Sequence, residues 1–132
     1  MTSLTDLMAT FAEVTGASLP NNAAEDSYSM LPVLLGKDTE PVRQYMLQQA
    51  FRGSVLSIRE GKWKYLDHKG SGGYSYPSDK KDNFPGQLYN LKDDPKEKVN
   101  LYAKHPAIVK KLKAKLEELK KSGRSAPLRS RP

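Results

Sequence analysis

Apolar positions in the first fourteen residues recur at helical spacing. Leu4, Leu7, Met8 and Phe11 follow an i, i+3, i+4, i+7 pattern, which predicts a helix over 3–14. Ser3 stands as its cap, Asp6 follows three residues on, and Gly16 supplies a stop. Residues 29–36 read as a short helical turn ended by Gly36. The period then changes. Two strands are expected over 43–51 and 53–59, the second alternating Leu56 and Ile58 against Ser57 and Arg59. Glu60-Gly61 is a tight-turn signal, and 62–66 returns as a hairpin partner with Trp63 and Tyr65 on one face. Trp63, the single tryptophan, reads as a sheet-face anchor.

The stretch 67–86 is rich in Gly, Ser, Tyr, Pro and Lys and has no periodicity, which is long for a loop within a compact domain. A fourth strand follows at 87–91. Asp94-Pro95-Lys96-Glu97 then spells a helix start, with a cap, a proline at the first helical position and a glutamate able to reach back. From Pro106 to Lys121, Ile108, Val109, Leu112, Leu116 and Leu119 form one stripe among lysines, with Gly123 as the stop. The fold class expected is α+β. A small antiparallel β-sheet of about four strands carries the C-terminal amphipathic helix on one face and is joined by an N-terminal helix.

The length of 132 residues suits one modest core. No apolar run approaches the roughly 20 residues that cross a bilayer, and residues 1–11 lack the basic and apolar regions of a signal peptide. The lack of cysteine removes disulfides, thiolate metal sites and cysteine nucleophiles. Charge is placed unevenly. Residues 1–91 hold 9 Lys/Arg against 10 Asp/Glu, a balance of −1, whereas 92–132 hold 13 against 5, a balance of +8. One reading is the solvated back of an amphipathic helix. The alternative is a stand-alone module that binds a polyanion, either a sulfated polysaccharide or nucleic acid. Only Tyr102 interleaves with these lysines, which argues against single-stranded nucleic acid.

Catalytic sets are scarce. His68 adjoins Asp67, which points the opposite way on an extended segment, and His105 precedes Pro106 at a helix start. Gly70–Gly73 lacks the lysine and hydroxyl of a phosphate-binding loop.

Several of these segments together resemble the sulfatase family of the alkaline-phosphatase superfamily. Gln87–Leu101, QLYNLKDDPKEKVNL, resembles its C-terminal "LYDL…DP.E..NL" signature. Ser3-Leu4-Thr5-Asp6-Leu7 with Thr10 and Thr15-Gly16 resembles a family helix in which proline is common where Ala9 stands. Glu25–Pro32 with Leu34-Leu35-Gly36 resembles a second motif, with Ser27 in place of the usual glycine. Ser57–Tyr65, Gly70–Ser75 and Gly123–Pro127 are similar to further family runs, in the family's order.

The resemblance implies a C-terminal fragment of an arylsulfatase-like sulfuric ester hydrolase. On this reading 1–36 is a helical segment continuing from the catalytic domain, 37–123 the C-terminal subdomain, and 124–132 a flexible tail. The family's formylglycine, its calcium ion and its sulfate-binding lysine and histidine residues belong to the preceding catalytic domain. No catalytic residue, metal ligand or cofactor is therefore assigned to this chain. The implied partners are that catalytic domain in cis and the parent's sulfate-ester substrate, with no membrane and with nucleic acid disfavoured. The parent's compartment is left open, with a periplasmic or secreted enzyme among the options. Ser125-Ala126-Pro127-Leu128-Arg129 fits the family's nucleophile motif S-x-P-x-R by letter. It lies in a polar tail without the roughly six oxygen ligands that a divalent cation needs, and is not assigned that role. Family position places 48–52 near the substrate-pocket rim. There Gln49 could hydrogen-bond a substrate substituent and Arg52 could pair with a second anionic group.

Overall fold

The computed structural model describes residues 1–50, 55–70 and 83–129. Its elements are α1 (Asp6–Thr15), α2 (Leu31–Leu34), β1 (Tyr45–Gln49), β2 (Leu56–Glu60), β3 (Trp63–Leu66), β4 (Gln87–Asn90) and α3 (Pro106–Ser122). The strands form one sheet in the order β1-β2-β3-β4, so the α+β expectation holds. The chain divides into two compact units, Met1–Met46 with Leu119–Pro132, and Leu47–Glu118.

In the second unit the β2–β3 hairpin closes with Glu60 opposite Trp63, and Gly61 takes the left-handed conformation at φ 53°. That conformation costs a side-chain-bearing residue more than it costs glycine. Register puts Ile58, Tyr65 and Leu88 side by side on one face, and all three are fully buried. Val109, Leu112 and Leu116 of α3 are buried as well, which is the stripe the spacing predicts. α3 lies over that same face. Trp63 meets His105 at a ring distance of 5.0 Å, and Lys111 Nζ donates to Glu60 at 2.7 Å. Lys113 sits 3.6 Å from Asp67. Trp63 anchors the sheet face as expected, between His105 and the Lys62 ammonium at 5.5 Å.

The turn after β4 departs from expectation. Asp94 starts no helix. Its carboxylate accepts the Val99 N–H at 2.8 Å, Glu97 adopts a left-handed φ of 53°, and the Glu97 carboxylate takes Lys64 Nζ at 2.6 Å. The cap residues close an irregular loop instead, because the Lys64 ion pair draws Glu97 away from the position where it would reach back. Asn100 and Leu101 then cover the outer edge of β4. Asn100 Oδ1 accepts the Leu88 N–H at 3.1 Å, and the Leu101 N–H donates to the Leu88 carbonyl at 2.8 Å. An open strand edge is thereby satisfied.

The first unit is built on α1, and its burial is inverted. Asp6, Ala9 and Thr10 are the buried side chains, whereas Met8, Phe11 and Val14 are 51, 61 and 60% exposed. Gly16 ends the helix at φ 71° as expected, but Ser3 is not its cap. Thr5 holds the cap position without a side-chain bond, and Asp6 receives the Ser3 N–H at 2.7 Å. The predicted strand over 43–51 begins only at Tyr45, since Arg43 is drawn to Asp6.

Sequence reading expects the end to fray. Over 124–129 it is instead bound to the segment 20–28. Asn21 exchanges two hydrogen bonds with Arg129, and the Ala126 N–H donates to the Glu25 carbonyl at 2.9 Å. Arg124 donates to the Asn21 carbonyl at 3.0 Å. Two arginines whose guanidinium donors suit backbone carbonyls account for the order.

Candidate functional site

The polar half of α1 is locked from inside. The fully buried Asp6 carboxylate accepts the N–H of Ser3, the N–H of Tyr28 at 3.0 Å and the guanidinium of Arg43. Arg43 also donates to the Asp26 carbonyl at 3.0 Å and stacks over Tyr28, 4.5 Å from its ring centre. Burial lowers the Arg43 pKa, because desolvation disfavours the charged form. Ser27, standing where the family pattern has glycine, is buried, and its Oγ accepts the Ala9 N–H at 2.8 Å. Thr10 Oγ1 accepts the Met30 N–H at 3.0 Å. These bonds hold 26–30 against the small, polar side of α1. The apolar side is turned to solvent, with Leu7, Met8, Phe11 and Val14 all exposed, and so are Val33, Leu34 and Leu35 around α2. Sequence periodicity identifies α1's stripe, Leu4, Leu7, Met8 and Phe11, but does not say which of the helix's faces is covered.

Of the two expected rim residues, Gln49 lies among the described residues. Gln49 is the last residue of β1 and is exposed, which leaves its amide accessible beside the interactions it makes. Arg52 lies outside the described residues. Most of the Gly70–Ser75 run also lies outside them.

The remaining candidates are structural. The Ser125 N–H donates to the Asp26 carboxylate at 2.8 Å, and its carbonyl accepts from the Tyr28 hydroxyl. Arg129 of the same letter motif binds the carbonyls of Pro20, Ala23 and Ala24 at 2.8–3.2 Å. His68 Nδ1 accepts the Gly70 N–H at 2.8 Å, and His105 packs on Trp63. Tyr65 donates to Asp67 at 2.7 Å. Burial first, and that carboxylate second, push its pKa far up, so it stays protonated. Among the described residues no group of three or more His, Cys, Asp or Glu could hold a metal ion. The described residues therefore do not fit the family's calcium, and no step through it is assigned to this chain. No helix in them is long and apolar enough to cross a membrane. An open groove of about 730 Å³ in the first unit, lined by Ala9, Ala12, Ala17, Ser27, Tyr28 and Leu128 among others, assembles no reacting set. Its one cation, Arg129, is taken up by backbone carbonyls, and Glu13 is its one carboxylate.

The lysines of α3 are largely engaged as well. Lys111 pairs with Glu60, Lys113 with Asp67 and Lys115 with Glu118. These lysines lie along the flanks of the buried stripe, so their stems cover apolar surface while their heads find carboxylates.

No family model matches the chain. Individual proteins do. It is 37% identical over 118 residues to an N-acetylgalactosamine-6-O-sulfatase of Bacteroides thetaiotaomicron, covering 87% of this chain and 22% of that protein. It is 35% identical over 102 residues to a choline-sulfatase of Rhizobium meliloti, covering 76% of this chain and 17% of the relative. A solved Bacteroides thetaiotaomicron structure, described with a locus for the metabolism of multiple glycosaminoglycans, superposes with a TM-score of 0.70 at 36% identity. That match covers 88% of this chain and 24% of the other. The chain thus spans about a fifth of the length of the curated relatives it matches. Matches that take in nearly all of this sequence but a small share of each enzyme, on the fold its motifs anticipated, identify the chain as the C-terminal part of a sulfatase, within the alkaline-phosphatase superfamily.

Proposed function

We propose that this chain serves a sulfate-ester hydrolase as the part that packs on the catalytic domain and borders its substrate pocket, without doing the chemistry. Its similarity to sulfatases over 87% of its length carries the reading. The named relatives act on a sulfated amino sugar and on choline sulfate, and the stronger match favours a sulfated sugar as the parent's substrate. Sulfate-ester hydrolysis would then be carried by the catalytic domain in cis.

On this reading Gln49, exposed at the end of β1, and Arg52 after it border the pocket. A neutral side-chain hydrogen bond is worth about 1 kcal/mol, so removing Gln49's amide should shift substrate binding by roughly fivefold. The test replaces the matching part of the Bacteroides relative with this chain and assays N-acetylgalactosamine 6-sulfate hydrolysis. The expected result is an active hybrid in which Gln49→Ala raises KM with kcat nearly unchanged, the mark of lost ground-state binding. An inactive, unassembled hybrid would sink the domain reading. An active hybrid indifferent to Gln49→Ala and Arg52→Ala would sink the rim.

A further inference from the structure

We infer that the docking surface for the catalytic domain is the outer face of α1, Leu7, Met8, Phe11 and Val14, and that the Asp6–Arg43 lock is what presents it. This rests on the domain reading above and names the surface through which it operates. Three observations converge on it. The first is inversion. A solvated helix buries its apolar stripe and exposes its polar one, yet α1 buries Asp6 and Thr10 and exposes Met8, Phe11 and Val14 by half or more. An exposed apolar stripe of this kind marks a face that a second body covers.

The second is that the orientation is enforced. Rotating α1 to bury its stripe would break the bonds from Ser3, Tyr28 and Arg43 to Asp6, from Ala9 to Ser27, and from Met30 to Thr10. It would also leave a buried arginine unpaired. The inside-out helix is therefore built in.

The third concerns the occupant. The relatives that match here are each more than four times the length of the matched part, so most of their mass lies outside it. A lone apolar stripe with no charge on it fits the apolar layer of a larger fold. It does not fit a sugar, which needs polar partners, or a nucleic acid, which needs cations. A second copy of this chain is the competing occupant, and the experiment separates the two.

The chain, as written, is co-expressed with the remainder of the Bacteroides relative, and complex formation is read by sedimentation. The unaltered chain should form a one-to-one complex. Met8→Asp with Phe11→Asp should weaken that complex at least a hundredfold, whereas Lys110→Glu on the exposed side of α3 should leave it within twofold. Because both altered side chains are exposed, the double variant alone should melt as the unaltered chain does, which separates lost docking from lost folding. Failure of the unaltered chain to form any complex counts against the domain reading itself. A complex from the unaltered chain that the double variant matches overturns the α1 face alone. A dimer of the isolated chain that persists unchanged with the relative present, and is lost in the variant, overturns the choice of occupant.

Discussion

Asp6 gathers three segments of the first unit with one carboxylate, and it does so without any exposure to water. Removing one member of a buried pair leaves the other charge uncompensated, at about 3–5 kcal/mol. Asp6→Ala should therefore lower unfolding stability by that order in urea titration. Asp6→Leu with Arg43→Met should recover most of the loss, because two apolar groups replace two charges. Gly86 is constrained by space and not by conformation. A Cβ there would stand 2.9 Å from the Leu66 carbonyl oxygen and 3.0 Å from the Tyr65 ring, so Gly86→Ala should cost about 1–3 kcal/mol.

Asp94 sits at the surface, and hydrogen bonds from the Val99 and Lys98 backbone N–H groups hold its pKa below the ordinary 3.8. A depressed carboxylate pKa contributes stability above the unfolded value and loses it as pH falls through the folded one. Amide protection factors across 94–99, corrected for the intrinsic rate at each pH, should fall on acidification below about pH 4. In Asp94→Asn that fall should be missing.

At the scale of elements, α3 behaves as its pattern promises and α1 does not, although both carry a clean apolar stripe. The α3 stripe and the sheet residues Ile58, Tyr65 and Leu88 are buried alike, an outcome that removes both surfaces from water. Leu112→Ala, at a fully buried position, should cost about 2–5 kcal/mol by thermal or urea unfolding. In α1 a short polar set, Asp6, Thr10 and the partner residue Ser27, wins the interior because each group finds a hydrogen bond there. Periodicity reports that a helix has two faces. It does not report which face its neighbours can satisfy. The same limit applies to 94–97, where four residues suited to a helix start close a loop once Lys64 claims Glu97.

For the whole molecule, stability should differ between the two units. The second owns a sheet, a packed helix and a fully buried apolar set, whereas the first is held chiefly by hydrogen bonds around one helix. Native-state hydrogen exchange should find the β3 and β4 amides protected to near the global unfolding free energy. The α1 amides should exchange through a lower opening, and they should become protected when the catalytic domain is supplied. Equal protection in both would contradict the dependence of α1 on a partner.

The four strands, the hairpin at Gly61, the C-terminal helix and the sulfatase kinship were all legible in the sequence, because alternation, glycine position and motif order are properties of the chain taken locally. The outward turn of α1, the loop at Asp94 and the binding of 124–129 by Asn21 were decided only by tertiary structure. Each depends on which distant group satisfies a buried charge or a free backbone N–H, and residue spacing along the chain carries no record of that choice.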